Sequence, residues 1–192
     1  AIKNPVVEVE KLKQENKVER FLQPEEETRL LNNCIKRYKH LKPFILMALH
    51  TGMRLGEILN LKWSNVNLKE GYIVLTRTKS NQIRKIPLST TLLNELKQRD
   101  QSLEYVFTNP KTGKQYSWIA NGWAGLCKAA NIEGLRFHDL RHTAATRMVS
   151  KGIDLVVVQE ILGHANLTTT QRYSHPVPIR KLEAIQVLES FA

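Results

Sequence analysis

The chain has 192 residues, which is the size of one compact domain and enough to bury a substantial core. Lysine and arginine number 29 against 18 aspartate and glutamate residues, and the formal net charge of +11 favours a polyanionic partner. Two cysteines without a Cys-x-x-Cys or Cys/His cluster argue against a disulfide framework or a zinc module, and no apolar run is long enough to span a membrane, so we expect a cytoplasmic protein.

Helices are predicted for the first third of the chain. Residues 1 to about 22 show mixed charge and little apolar periodicity, which is typical of a linker. Pro24 followed by three glutamates indicates a helix start, because carboxylates complement the positive end of the helix dipole. Further helices are predicted from Pro43 to His50, before Gly52, and from about Arg54. The buried face of the first helix is predicted from apolar spacing: Leu30, Leu31, Cys34, Ile35 and Tyr38.

The middle of the chain changes to a strand pattern. Residues 72–76 and 83–87 are rich in β-branched and other apolar residues, and they predict a small antiparallel hairpin. The expected fold class is therefore mainly α with a small antiparallel β-sheet (α+β). The later helices are predicted over 90–99, 117–130, 138–150, 155–162 and 168–172, with an amphipathic helix over 179–188.

Positive charge is concentrated in two stretches that contain no acidic residue. These stretches are residues 71–94 and 105–132, and lysines are interleaved with aromatic residues in the second. A surface that faces phosphate groups would have this composition, although ordinary solvated surfaces can have it too.

One helical motif carries candidate chemistry. His138 and Arg141 are three residues apart, which places both on one face of a helix, where they could bind the same anion. A surface salt bridge or a capping histidine is the simpler interpretation of the pair alone. His138 and His142 have the spacing of helical zinc ligands, but no glutamate accompanies them and a cation lies between them, which argues against a metal.

A second motif surrounds Arg54. It reads Thr51-Gly52-Met53-Arg54-Leu55-Gly56-Glu57, in which a helix start follows a glycine stop. The unpaired N–H groups of a helix start attract anions, and Glu57 could orient Arg54 or pair with it at the surface.

These motifs together resemble the catalytic domain of the tyrosine recombinases, also called the phage integrase family. The resemblance covers roughly Gln23 to the C-terminus, and the order and spacing of its motifs agree throughout. It implies that the N-terminal core-binding domain of that family is absent, with residues 1–22 as the remnant of the interdomain linker. The residues that carry it are the Arg54 motif, Lys79 of the hairpin, His138-Asp139-Leu140-Arg141-His142, Leu162-Gly163-His164 and Tyr173.

The resemblance implies a catalytic role for each of six residues. Tyr173 would attack a DNA phosphodiester and form a 3'-phosphotyrosyl bond, while Arg54 and Arg141 clamp the nonbridging oxygens with help from His164. Lys79 would protonate the departing 5'-oxygen, and His138 would handle the proton of the nucleophile. His142 and His175 are interpreted as packing or hydrogen-bonding neighbours.

The resemblance also implies partners, and it implies that neither a metal nor ATP is needed. Double-stranded DNA would be the substrate, and DNA-bending proteins could assist. The apolar face of the helix after the tyrosine would pack against a neighbouring protomer in a tetramer, although packing against its own domain is the simpler interpretation. Two alternatives remain open at this point: a type IB topoisomerase-like enzyme that reseals the same strand, and a DNA-binding module without catalysis. The protein is expected to associate with the nucleoid and not with a membrane.

Overall fold

The computed structural model describes residues 20–76, 83–110, 112–174 and 185–186. The described residues are mainly helical, with one small antiparallel sheet, so the predicted fold class is confirmed. The helices are α1 (Pro24–Asn32), α2 (Lys42–Thr51), α3 (Leu55–Leu59), α4 (Thr90–Lys97), α5 (Ala120–Ala129), α6 (Asp139–Ser150), α7 (Leu155–Leu162) and α8 (Leu167–Gln171). The strands are β1 (Val66–Asn67), β2 (Tyr72–Thr76) and β3 (Ile83–Pro87). Most of the helix predicted over 179–188 lies outside the described residues.

The first helix is shorter than predicted. Its start is as expected, since Pro24 is the first helical residue and the backbone N–H of Gln23 donates to the Glu26 carboxylate at 3.1 Å. The helix ends at Asn32, and a 3₁₀ helix over Lys36–Leu41 follows. Lys36 has a positive φ of 47°, which breaks the helical path, and Ile35 is 58% exposed. The prediction that Ile35 belongs to a buried helical stripe is therefore wrong.

Helix α2 lies at the centre of the molecule. Every residue from Pro43 to Leu49 is buried, and α2 packs against α3, α4 and α6. Gly52 caps its C-terminal end in the left-handed conformation, as the sequence predicts. None of the helices in the described part of the chain has both the length and the apolar content needed to cross a membrane.

The sheet has the strand order β1-β2-β3, and all neighbours are antiparallel. The hairpin of β2 and β3 was predicted, whereas β1 was not, because two residues are too few to show alternation. Ile73 and Ile86 face each other across the hairpin and are buried. In this register one face of the hairpin packs against the core, and β3 contacts helix α7.

A second, smaller apolar cluster lies between α6, α7 and α8. It is formed by Ala145, Val158, Leu162 and Tyr173, all buried. Asp154 caps α7 by accepting from the N–H of Val156 at 2.7 Å, and Gly163 ends the helix with a φ of 66°. The short helix α8 then turns back, so that the residues just after it reach α6.

Gly52→Ala is expected to destabilise the fold by about 1–3 kcal/mol, because an L-residue is strained at positive φ and the added methyl group overpacks the core. Gly52 has a φ of +64°, and a Cβ built there lies 2.4 Å from Cδ2 of the buried Leu162. Urea denaturation of the two proteins measures the change in the free energy of unfolding.

Gly56→Ala is the matched control. Gly56 lies in α3, and a Cβ built there meets nothing within 4 Å. Alanine is the better helix former by about 0.5–1 kcal/mol, so the control is expected to unfold at the same or a slightly higher urea concentration. Equal losses of stability in both variants would contradict the explanation.

Candidate active site

Arg141 is the most deeply buried cation of the candidate site, with 2% of its surface exposed. Its Nη1 donates to the carbonyl oxygen of Gly52 at 2.6 Å, and its Nη2 donates to that of Leu162 at 2.8 Å. These carbonyls lie at the C-terminal ends of α2 and α7, where the helix dipoles favour a cation. Burial and, after it, the charge of Arg54 lower the pKa of the guanidinium to about 9, and Arg141 stays protonated at neutral pH.

Arg54 and Glu57 form one unit at the start of α3. The N–H of Arg54 donates to Glu57 Oε2 at 2.8 Å, and Nη1 of Arg54 pairs with Oε1 at 3.1 Å. Burial raises the pKa of the Glu57 carboxyl, but the charges and hydrogen bonds of Arg84 and Arg54 outweigh burial and hold this pKa below its ordinary value. Glu57 is therefore an ionised anchor that fixes the Arg54 side chain.

Arg84 on β3 is part of the same network, whereas the sequence placed it only in the positively charged stretch of residues 71–94 and not among the catalytic residues. Its Nη2 donates to Glu57 Oε2 at 2.8 Å, and its Nη1 donates to the carbonyl oxygen of Leu162. Arg84 is two residues from the buried Ile86, so strand alternation places both side chains on the inner face of the sheet. That alternation is the signal that could have identified Arg84 in the sequence.

Arg54, Arg84 and Arg141 surround a single carboxylate, that of Glu57. Three guanidinium charges against one carboxylate charge leave this group of residues with an excess of positive charge. Guanidinium groups present a planar fork of donors that matches the oxygens of a phosphate. The arrangement is therefore suited to bind a phosphodiester.

His138 and His142 lie one turn apart at the start of α6. His138 is the exposed residue before the first turn, whereas His142 is buried. Their rings meet edge to face with centroids 4.8 Å apart. Burial lowers the pKa of His138, and the neighbouring His142 and Arg141 lower it further, which favours the neutral imidazole at pH 7.

Tyr173 is docked in the site. Its ring packs into the apolar cluster with Ala145, Val158 and Leu162, and only 6% of the residue is exposed. Its hydroxyl forms a hydrogen bond of 2.6 Å with Nδ1 of His142. The sequence interpretation of His142 as a neighbour thus understates its position, because the atom that it contacts is the proposed nucleophile.

His164 flanks Tyr173 on the other side. The two rings are stacked with centroids 6.4 Å apart, and Nδ1 of His164 forms a hydrogen bond of 2.9 Å with the hydroxyl of Thr170. The left-handed turn at Gly163 brings His164 back towards the site from the end of α7. The hydrogen bond to α8 fixes this ring in relation to the helix that precedes Tyr173.

Lys79 and His175 lie outside the described residues. The strands on either side of Lys79 are described, with β2 ending at Thr76 and β3 beginning at Ile83. Of the six residues that the sequence predicts as catalytic, the structure brings Arg54, His138, Arg141, His164 and Tyr173 to one region.

An open groove of about 1160 Å³ adjoins the arginine network between α3, the sheet and α7. Glu57, Arg84 and His164 contribute to its wall, and Lys62 and Lys85 add positive charge along it. Within residues 20–76, 83–110 and 112–174, histidine, cysteine and acidic side chains do not converge in groups of three that could hold a metal ion.

Comparison with known proteins shows the family to which the chain belongs. The model of the phage integrase family matches residues 20–178. The integrase of Salmonella phage P22 is 31% identical over 203 residues, which cover 98% of this chain and 51% of that protein. The chain belongs to the phage integrase family. It spans about half the length of the curated relatives that it matches.

Solved structures give the same result for the fold. The catalytic domain of bacteriophage HP1 integrase is similar with a TM-score of 0.68 and 29% identity, over 86% of this chain and 93% of that one. A XerH site-specific recombinase bound to palindromic difH substrate, in a post-cleavage complex, has a TM-score of 0.71 and 26% identity. The match covers 91% of this chain and 54% of the XerH chain.

Proposed function

We propose that this chain is the catalytic domain of a site-specific DNA recombinase that cleaves and rejoins strands through a 3'-phosphotyrosyl intermediate. The observation that supports the proposal best is the position of Tyr173, whose hydroxyl is held by His142 and lies within electrostatic reach of Arg141. A phenol near two guanidinium groups that are suited to phosphate has the parts needed for attack on a phosphodiester.

In the proposed reaction, the Tyr173 oxygen forms a bond to phosphorus as the bond from phosphorus to the 5'-oxygen breaks. Arg54 and Arg141 donate hydrogen bonds to the nonbridging oxygens, where charge develops in the transition state, and His164 donates to the same oxygens. Lys79 gives a proton to the departing 5'-oxygen. His138, at the exposed edge of the site, takes part in moving the proton of the nucleophile.

We propose that these steps need neither a metal nor a nucleotide cofactor. The guanidinium groups supply the positive charge that a metal ion would otherwise provide. The phosphotyrosyl bond conserves the energy of the phosphodiester, so the 5'-hydroxyl of a second strand can reverse the reaction without ATP.

The proposed substrate is double-stranded DNA, and the proposed assembly is a tetramer around two duplexes. The positive charge of the arginine network and the lysines of the adjacent groove support DNA binding. The tetramer would form through the predicted helix over 179–188, of which Ile185 is described and 60% exposed. Accessory DNA-bending proteins, a nucleoid location and a linker role for residues 1–22 remain part of the proposal.

A trapping experiment tests the function without knowledge of the DNA site. The chain is incubated with a pool of duplexes that carry a nick within randomised sequence, in EDTA and without ATP. A short 3' fragment that diffuses away after cleavage leaves the protein covalently attached, and adducts that survive SDS are isolated and sequenced. Peptide mapping of these adducts is expected to place the nucleotide on Tyr173.

Two results would overturn the proposal. An adduct on another residue excludes Tyr173 as the nucleophile, and the lack of any adduct with a chain that binds the same DNA favours a non-catalytic module. The selected sequence is then built into two intact duplexes. Products that join strands of different duplexes indicate recombination, whereas relaxation of a supercoiled plasmid alone indicates a topoisomerase-like enzyme.

A further inference from the structure

We infer that His142 is a further catalytic residue, which docks the Tyr173 hydroxyl and receives its proton as the tyrosine attacks phosphorus. The inference rests on the proposed function and deepens it, because it assigns the proton of the nucleophile to a residue other than His138. It depends on three features of the site: a hydrogen bond, a difference in burial and the neighbourhood of Arg141.

The first feature is the hydrogen bond itself. A tyrosine hydroxyl titrates at about pH 10 and is a poor nucleophile until its proton has an acceptor. Nδ1 of His142 lies 2.6 Å from the Tyr173 oxygen. In the tautomer that carries its hydrogen on Nε2, Nδ1 accepts the hydroxyl proton. The acceptor therefore contacts the reacting oxygen before any DNA is bound.

The second feature is the contrast between the two histidines of α6. His142 is 8% exposed and lies against the ring of Tyr173, with centroids 5.7 Å apart. His138 is exposed, and its described ring contact is with His142. A buried imidazole in fixed contact with the hydroxyl is better oriented for proton transfer than an exposed one a turn away. His138 is instead placed to exchange protons with solvent.

The third feature is the position of Arg141, the residue just before His142. Consecutive residues of an α-helix point about 100° apart, so Arg141 and His142 approach one site from two directions. Arg141 is held by the carbonyls of Gly52 and Leu162, and Leu162 also packs against Tyr173. The same helix turn thus supplies a cation suited to phosphate and a proton acceptor, both close to the nucleophile.

The Tyr173 O–H bond breaks and its proton passes to Nδ1 of His142, which becomes an imidazolium. The phenolic oxygen forms its bond to phosphorus, and the electron pair of the breaking bond leaves with the 5'-oxygen, which takes a proton from Lys79. In the reverse step, His142 returns its proton to the tyrosine oxygen, so no net proton is consumed by the site.

The test compares His142→Phe and His142→Asn with the wild-type chain. Phenylalanine removes both the hydrogen bond and the acceptor. Asparagine keeps a polar atom near the place of Nδ1 and preserves the contact with Tyr173, but an amide does not take up the proton. His50→Asn is the matched control, since His50 is an exposed histidine that pairs with Ser89. All variants are assayed on the trapped DNA sequence under single-turnover conditions.

Adduct formation is expected to fall by about 10²–10⁴-fold in both His142 variants, which is the usual contribution of a general base. DNA binding is expected to change little, and His50→Asn is expected to match the wild type. If His142→Phe does not fold, His142→Asn gives the result alone. A rate at or above the wild-type rate in His142→Asn would overturn the inference. It would show that the hydrogen bond only holds Tyr173 in place before the reaction.

A second substrate separates nucleophile activation from assistance to the leaving group. Its scissile phosphate carries sulfur at the 5'-bridging position, so the leaving group departs without a proton. The His142 defect is expected to persist on this substrate, whereas a Lys79→Ala defect is expected to be relieved. Relief of the His142 defect would show that His142 acts on the leaving group. A wild-type chain that forms no Tyr173 adduct would instead overturn the proposed function.

Discussion

Tyr173→Phe is expected to abolish covalent protein–DNA adducts while DNA affinity changes by less than about threefold, since no phosphate contact is removed. The phenylalanine ring can occupy the cluster of Ala145, Val158 and Leu162 as the tyrosine ring does. The hydroxyl is lost, and with it the hydrogen bond to His142. The loss of that bond is expected to cost about 0.5–1.5 kcal/mol of stability, which leaves the chain folded.

The measurement is the yield of SDS-resistant adduct on nicked DNA, together with an affinity titration on the uncleaved duplex. Tyr116→Phe is the control, because this partly buried tyrosine packs on Phe44 and His40 in the main core. It is expected to form adducts at the wild-type rate. Adducts that persist in Tyr173→Phe would show that another residue attacks the DNA.

Arg141→Lys is expected to lose both activity and stability. Arg141 links the C-terminal ends of α2 and α7 through two hydrogen bonds, to Gly52 and to Leu162. A lysine ammonium is a compact point charge that cannot reproduce a planar fork, so one buried carbonyl loses its partner. We expect a loss of about 1–3 kcal/mol in the free energy of unfolding. Adduct formation is expected to fall by at least about 10²-fold, the effect of removing one donor to a developing oxyanion.

Arg147→Lys on the same helix is the control for Arg141→Lys. Arg147 is 41% exposed and pairs with Glu27 at the surface, where an ion pair contributes little. Urea denaturation gives the stability of both variants, and single-turnover cleavage below the unfolding transition gives their activity. Wild-type stability in Arg141→Lys would mean that the two carbonyl contacts do not hold the helices together.

The sequence predicted those parts of the fold that depend on local signals. Pro24 and Gly52 lie at the helix ends that they indicate, and the β-rich composition of residues 72–76 and 83–87 predicted the hairpin. The early end of α1 was missed because the positive φ of Lys36 has no signal in side-chain type. Strand β1 was missed because it has only two residues.

In the candidate site too, local motifs predicted the residues, whereas the contacts between them depend on tertiary packing. The motifs predicted Arg54, His138, Arg141, His164 and Tyr173 as site residues. A motif does not show which atoms of these residues are in contact. The contact between His142 and Tyr173 joins residues 31 positions apart, and that between Arg84 and Leu162 joins residues 78 positions apart. Such contacts depend on how α6, α7 and β3 pack, which no local pattern encodes. The catalytic roles themselves stay predictions until the variants are measured.

The packing of Tyr173 has a consequence for how often the nucleophile leaves its site. Burial of a large side chain stabilises it by about 1.5–3 kcal/mol, so a tyrosine free to dissociate would be undocked in about one molecule in ten to one in a hundred. Tyr173 is 6% exposed in its cluster. A neighbouring subunit that offered this segment another binding place would have to supply at least that free energy. In the proposed tetramer, the three buried residues that pack around the tyrosine would therefore set the free energy that a neighbour must supply to switch a subunit off.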